Sequence, residues 1–208
     1  MADTTQNLDR GRIDLPSPVL KGRMSVEETL LERRSVRSYS GDPLTLAAVG
    51  QLLWSVQGIT SPLGYRTAPS AGPCYPLETY LVAGAVTSLP QGVYRYEPRS
   101  HLLDLQFEGD VRADLAAATL GQSFLRHAPI AIVFSAVPER TTKKYGERGT
   151  RYVHMDVGHA GQNLHLQSVS LGLGTVVVGA FKDDEVTRVM RLPAAEHPLY
   201  IMPVGRMP

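Results

Sequence analysis

The stretch Pro129–Val137, PIAIVFSAV, constrains the fold of this chain more than any other. A strand with one wet face alternates apolar and polar residues. A nearly continuous apolar run of this length reads instead as a central strand covered on both faces. The remaining elements must therefore build a sheet around it and helices against it.

Those elements are visible in order. Residues 1–24 form a polar, proline-punctuated N-terminal arm, expected to be loose and to become ordered near its end. Ser25 with Glu28 makes a capping box for a first helix that runs to about Arg33 and Arg34. Gly41-Asp42-Pro43 is a turn. Thr45 caps a second helix, whose face carries Leu46, Val49, Leu52, Leu53 and Val56 and which Gly58 ends. Residues 60–76 form a long loop rich in Ser, Pro and Gly, and a loop of that length in a compact domain is usually functional or disordered.

Strands are predicted at Leu77–Ala83, at Val93–Tyr96 and Leu102–Phe107 as a hairpin, at Thr175–Val178 and at Leu199–Val204. Helices are predicted at Val111–Leu120, Pro138–Tyr145, Tyr152–Leu171 with Gly172 as its stop, and Asp183–Met190. Strands and helices mix without regular alternation, so the class is α+β, with residues 25–208 as one domain.

Bulk properties exclude several functions. With 43% hydrophobic and 20% charged residues among 208, the chain is globular. A net charge of +1 argues against a nucleic-acid coat. No run approaches the roughly 20 apolar residues that span a bilayer, and the polar N-terminus is no secretory signal. The single cysteine, Cys74, cannot form an internal disulfide. The expectation is a cytoplasmic protein with no membrane or nucleic-acid partner.

Two segments could carry chemistry. Arg33-Arg34-Ser35-Val36-Arg37 gathers three guanidiniums and a hydroxyl at a helix exit, and arginine forks match phosphate oxygens. Read by itself, it is also a solvated helix end with Glu27, Glu28 and Glu32 at hand to pair with it. Ala68-Pro69-Ser70-Ala71-Gly72-Pro73 lets a backbone approach a flat ligand closely, or is an ordinary surface loop.

Other patterns carry less. Gly172-Leu173-Gly174 follows a helix and precedes a strand, the reverse of a dinucleotide fingerprint. His154, His159 and His165 lack the spacing of a helical metal pair, so no metal site is expected and packing roles are favoured. Cys74 has no charged neighbour to activate it, and there is no Gly-x-Ser-x-Gly.

Taken in order, four segments resemble the nitroreductase superfamily, and within it the SagB-type dehydrogenases. They are RRSVRSYSGDPLTLAAVGQLLWSVQGIT, RTAPSAGPCYPLETYLV, KYGERGTRYVHMDVGHAGQNLHLQSVSLGLGTVVVGAF and PLYIMPVGR. The resemblance runs from about Ile13 to the end. It implies a nitroreductase-like fold, with a central mostly antiparallel sheet flanked by helices, in an intertwined homodimer with FMN at the interface.

By position, Arg33, Arg34 and Ser35 would hold the phosphate and ribityl chain. Arg37 would reach the N1/O2 edge of the flavin, where reduction places negative charge. Pro69, Ser70, Ala71 and Gly72 would pack on the ring from the other subunit, and Val178 and Gly179 would lie near N5. Arg206 resembles a basic residue near the phosphate. The chain stops at Pro208, where many members carry an extension that wraps the partner; the N-terminal arm or the helices are expected to take its place.

The implied activity is ping-pong transfer of hydride or electrons through FMN, with NAD(P)H as donor and a small organic acceptor. Two alternatives stand beside it. One is oxidation of an azoline in a modified peptide, with Lys144 and Tyr145 removing the proton. The other is an FMN store or scaffold without turnover.

Overall fold

The computed structural model describes residues 11–208. The first part of the expected arm, residues 1–10, lies outside them. The chain forms β1 (Arg12–Asp14), α1 (Val26–Glu32), α2 (Leu46–Gln57), β2 (Leu77–Ala83), β3 (Gly92–Glu97) and β4 (Leu102–Glu108). It continues through α3 (Arg112–Ala118), a short 3-10 turn at Ser123–Arg126, β5 (Ile130–Ala136), α4 (Glu139–Tyr145) and α5 (Arg148–Ser170), and ends with β6 (Gly174–Thr175), α6 (Asp183–Met190) and β7 (His197–Gly205).

The seven strands make one sheet in the order β1-β4-β3-β2-β5-β7-β6. All six strand ladders are antiparallel. The parallel contacts are isolated bridges, Ser35 with Thr175 and Leu44 with Val86. The α+β class and the antiparallel sheet expected from sequence are the observed ones.

β5 lies between β2 and β7, and every one of its residues is buried. Ile130, Ile132, Phe134 and Ala136 pack on one side with residues of α2 and α5. Ala131 and Val133 pack on the other, with residues of α3 and α6. Each large apolar side chain so covered contributes about 1.5–3 kcal/mol, so this strand is the axis of the core.

The caps follow the sequence. Ser25 Oγ accepts from Glu28 N while Glu28 returns to Ser25 N, and Thr45 Oγ1 accepts from Ala48 N. Several ends shift by one or two residues, as at α3 and β7, and other departures are larger. The arm contains an edge strand, β1, paired with Leu102–Asp104 of β4. α5 begins at Arg148, four residues before Tyr152, because Gly149 lets it press on α4: a Cβ there would stand 2.8 Å from Thr142 Cα. The β-branched run Thr175–Val178 pairs as a strand only through Thr175; Val178 then makes a single bridge to Ile201. Among the described residues no helix is long and apolar enough to cross a membrane.

Candidate functional site

The basic segment lies on the sheet's edge, beyond the end of α1. That helix ends at Glu32, and the chain then runs extended. Ser35 bridges Thr175 of β6, and Val36 N donates to Thr175 O at 2.9 Å. Alternation in an extended segment sends neighbouring side chains to opposite sides. Val36 turns inward onto Gly174, where a Cβ would come within 2.6 Å of it. Ser35 and Arg37 remain exposed. Buried Tyr39 locks the segment from below by donating its hydroxyl to Val36 O at 2.6 Å, and burial raises its pKa well above the usual phenol range.

The arginines of this rim are not spent on acids. Among the described residues none of Arg33, Arg34, Arg37 and Arg206 forms an ion pair. Glu28, a candidate partner from sequence, is occupied by the capping box. Arg34 turns back to donate to Leu31 O and Arg33 O, at 2.9 and 2.7 Å. Arg33 is half-buried and close to His165 of α5. Burial pushes the His165 pKa down to about 4, and the nearby Arg33 charge adds to the fall. Arg206 joins the rim through its backbone, whose carbonyl accepts from Ser40 N at 3.0 Å.

The small-residue loop forms a second cluster. Ser70 Oγ accepts from Tyr75 N at 2.9 Å, and Ala71 O accepts from Cys74 N at 3.1 Å. Gly72 has φ +57, a conformation that disfavours any side chain. Its carbonyl accepts from Lys144 Nζ at 3.3 Å. A Cβ on Gly72 would stand 2.3 Å from Tyr145 Oη and 2.6 Å from Lys144 Nζ. The last turn of α4 thus brings both candidate bases against the lip. The Tyr145 ring meets Tyr152 edge to face at 5.1 Å.

Asp156, buried on α5, faces the Ser70 side chain and the Ala71 backbone. Burial raises its pKa, and those two contacts oppose the rise. Sequence reasoning missed this carboxylate; its only signal is a polar residue in the apolar stripe Val153, Val157, Ala160, Leu164.

Val178 and Gly179 stand along the outer edge of β7. Val178 exchanges both backbone bonds with Ile201, at 2.9 and 3.0 Å, and exposed Gly179 lies against the Tyr200 ring. Rim and lip are separate in one chain. The charge of Arg33 acts on His165 of α5 and the lip faces α5 at Asp156, two positions about 14 Å apart along the helix axis. One half offers cations to an oxyanion; the other offers a narrow, small-residue surface with a lysine and a phenol beside it.

The sequence and fold are similar to those of known proteins. The chain is 46% identical over 183 residues to a candidate nitroreductase of Methanocaldococcus jannaschii, covering 88% of this chain and 91% of that one. It superposes on the crystal structure of a candidate nitroreductase from Ralstonia eutropha with a TM-score of 0.84 and 30% identity, covering 96% of this chain and 90% of that one. Over 113 residues it is 31% identical to the trifolitoxin-processing protein TfxB of Rhizobium leguminosarum, which covers 52% of this chain and 30% of that protein. Residues 30–206 match the model of the nitroreductase family, and the chain belongs to that family.

Proposed function

We propose that the protein is an FMN-dependent oxidoreductase that works as a homodimer, taking electrons from NAD(P)H and passing them to a small organic acceptor. The observation that carries the reading is the rim itself: guanidiniums without acid partners among the described residues, on a backbone pinned to the sheet. Leaving such charges clustered and unpaired costs stability through mutual repulsion, and a phosphate relieves it.

The residues present fit the cofactor. Arg33 and Ser35 would hold its phosphate, with Arg34 and Arg206 flanking, and Arg37 would face the flavin edge. Exposed Gly179, next to Val178 whose side chain is buried in the core, leaves a flat, side-chain-poor surface, and Pro69, Ser70, Ala71 and Gly72 offer another. Bound FMN would supply reversible two-electron chemistry that no side chain of the chain can perform. The protein's part is to place a fixed positive charge at the electron-rich edge and to exclude water from the reacting face.

The 14 Å offset between rim and lip favours a site completed by a second subunit. So does the exposure of Val19 (65%), Leu20 (77%), Val26 (63%) and Leu31 (74%). Of these, Val19, Leu20 and Val26 line a groove of about 800 Å³ bounded by α2 and α5. A patch of this kind marks an interaction surface.

The purified protein is expected to be yellow and dimeric, and anaerobic NAD(P)H is expected to bleach the flavin band within catalytic times. A monomeric, colourless preparation that stays empty in excess FMN overturns the reading.

A second reading is favoured by the contact of Lys144 and Tyr145 with Gly72, and by the partial likeness to a toxin-processing protein. In it the chain is a SagB-type dehydrogenase that oxidises an azoline ring in a modified peptide, with the Lys144–Tyr145 pair taking the proton that leaves the ring. An azoline peptide, and not NAD(P)H, would then bleach the flavin. Retention of FMN with bleaching by neither would identify a flavin store or scaffold.

A further inference from the structure

A second polar cleft opens where the sheet splits, away from the rim. The β2–β3 ladder stops at Tyr80 and Arg95. Below that pair β2 continues to Leu77 on β5, and β3 continues to Glu97 on β4. The two strands diverge and leave a cleft of about 190 Å³ between them, whose walls include Arg66, Glu78, Thr79, Arg95, Glu97 and Arg140.

The charges of this cleft do not balance. Glu78, only 9% exposed, is shared by Arg95 and Arg140, at 2.8 and 2.5 Å. Glu97 accepts from Arg99 N. Arg66 is left without an ion pair among the described residues. One of its nitrogens, Nη1, donates to Gln57 Oε1 at 2.7 Å, and its guanidinium lies 4.5 Å from the centre of the Tyr75 ring. Its Nε is buried without a partner, as is Thr79 Oγ1 on the β2 wall. Burial lowers the Arg66 pKa, partly offset by Glu78 and Tyr75. A half-buried guanidinium beside unsatisfied polar atoms lacks an acceptor, and the described residues supply none.

We propose that this cleft binds a small oxyanion, a carboxylate or phosphate group, with Arg66 as the anchoring cation and Arg95 and Arg140 as its charged walls. Three positive residues against two negative ones leave the cleft one charge short of neutrality, and a planar guanidinium suits an oxyanion bidentately. The site communicates with the lip. Arg66 N donates to Tyr75 Oη, Arg140 Nη1 donates to Tyr75 O, and Tyr75 N donates to Ser70 Oγ. Tyr75 itself holds φ +46, so the turn between cleft and lip is under backbone strain. An anion that orders Arg66 therefore stiffens the support of Ser70.

The test is titration of the protein in excess FMN, at constant ionic strength, with inorganic phosphate and separately with acetate. Calorimetry and the guanidinium Nε–Hε resonances are followed together. The Arg66 resonance is identified by its loss in Arg66→Lys. The expected result is saturable binding of at least one of the two anions, a shift of the Arg66 resonance that follows the same curve, and weakening by about tenfold or more in Arg66→Gln. Which anion binds tells a phosphate site from a carboxylate site. Absence of saturable binding by both, equal affinity in Arg66→Gln, or shifts confined to other arginines overturns the proposal. The wild-type resonance decides the matter even if Arg66→Gln fails to fold.

Discussion

The arginine rim and the small-residue lip solve the same problem, presenting a surface to a ligand, by opposite means. The rim is held by main-chain bonds: Val36 N to Thr175 O, Ser40 N to Arg206 O, and the Ser35–Thr175 bridge. Its side chains are thereby free to meet a ligand, apart from Arg34, which is spent on carbonyls. The lip has few main-chain anchors and is propped by side chains: Lys144 on Gly72 O, Asp156 at Ser70 and Ala71, Tyr75 with Arg140 behind. Changes to rim side chains should thus alter binding and spare the fold, whereas changes around the lip should alter both.

The largest effect expected is on the rim. Arg33→Ala with Ser35→Ala should weaken FMN retention by about 3–5 kcal/mol, since charge-assisted contacts are worth about 1.5–3 kcal/mol each. The apo-protein's melting temperature should stay nearly unchanged, and Arg34→Ala should cost less FMN affinity than Arg33→Ala. Equilibrium dialysis and thermal melts of the apo-proteins check this. A large fall in apo-stability would mean that the rim's side chains, and not its backbone, hold it in place.

The backbone of the rim offers the converse experiment. Gly174→Ala would drive a methyl into Val36, and overpacking of that kind costs about 1–3 kcal/mol. Chemical denaturation should show that loss, with FMN affinity falling because the strip is pushed off β6.

A smaller effect is expected at the lip. Gly72→Ala adds left-handed strain of about 1–2 kcal/mol. The atoms it meets, Tyr145 Oη and Lys144 Nζ, are far ends of side chains that can swing away. Stability should fall modestly, while any reaction that uses Lys144 and Tyr145 should slow much more; Gly72→Ala should thus separate the azoline reading from the NAD(P)H reading in one steady-state comparison.

How far the sequence disclosed these two regions follows from the physics of each. Apolar patterning, a continuous run for β5 and helical spacing for α2, announced these elements, because burial on one or both faces writes itself into residue order. Capping residues announced the starts of α1 and α2. The three-residue strand β1 is too short to carry a period, and it exists only because Leu102–Asp104 offers an edge. The first turn of α5 holds Gly149, which weakens a helix interior unless a neighbour needs the space, as Thr142 does here. The rim was legible as a cluster of arginines, but the freedom of those arginines from Glu28 was not, because a capping box is a local competitor whose victory only coordinates reveal. Asp156 and Arg66 are single polar residues, and their partners come from elements distant in sequence.

Asp156 gives the lip a pH dependence of defined sign. Its carboxyl is raised by burial above its unfolded value, so its contribution to stability is full below the unfolded pKa and is lost as pH rises through the folded one. Asp156→Asn keeps the shape and removes the titration. Wild type should therefore lose stability relative to Asp156→Asn as pH rises across that window, as read by denaturant midpoints. A gap independent of pH would show that Asp156 keeps its ordinary pKa and that the lip does not depend on its protonation.

His165 provides the matching and smallest probe on the rim. Its pKa is depressed to about 4 by burial first and by Arg33 second. A base depressed in the folded state contributes stability that is complete above its unfolded pKa of 6.5 and disappears as pH falls through about 4. Arg33→Ala removes the lesser cause, so the His165 ring resonances should titrate at a slightly higher pH, still far below the unfolded value. The acid loss of stability should still begin near 6.5, but it should end at a correspondingly higher pH and so be smaller. Because phosphate held by Arg33 would neutralise the same charge, FMN binding should move the His165 titration in the same direction as Arg33→Ala does. An FMN-bound protein whose His165 titrates as in the apo form would separate Arg33 from the phosphate, and would leave Ser35 and Arg37 as the rim's ligand contacts.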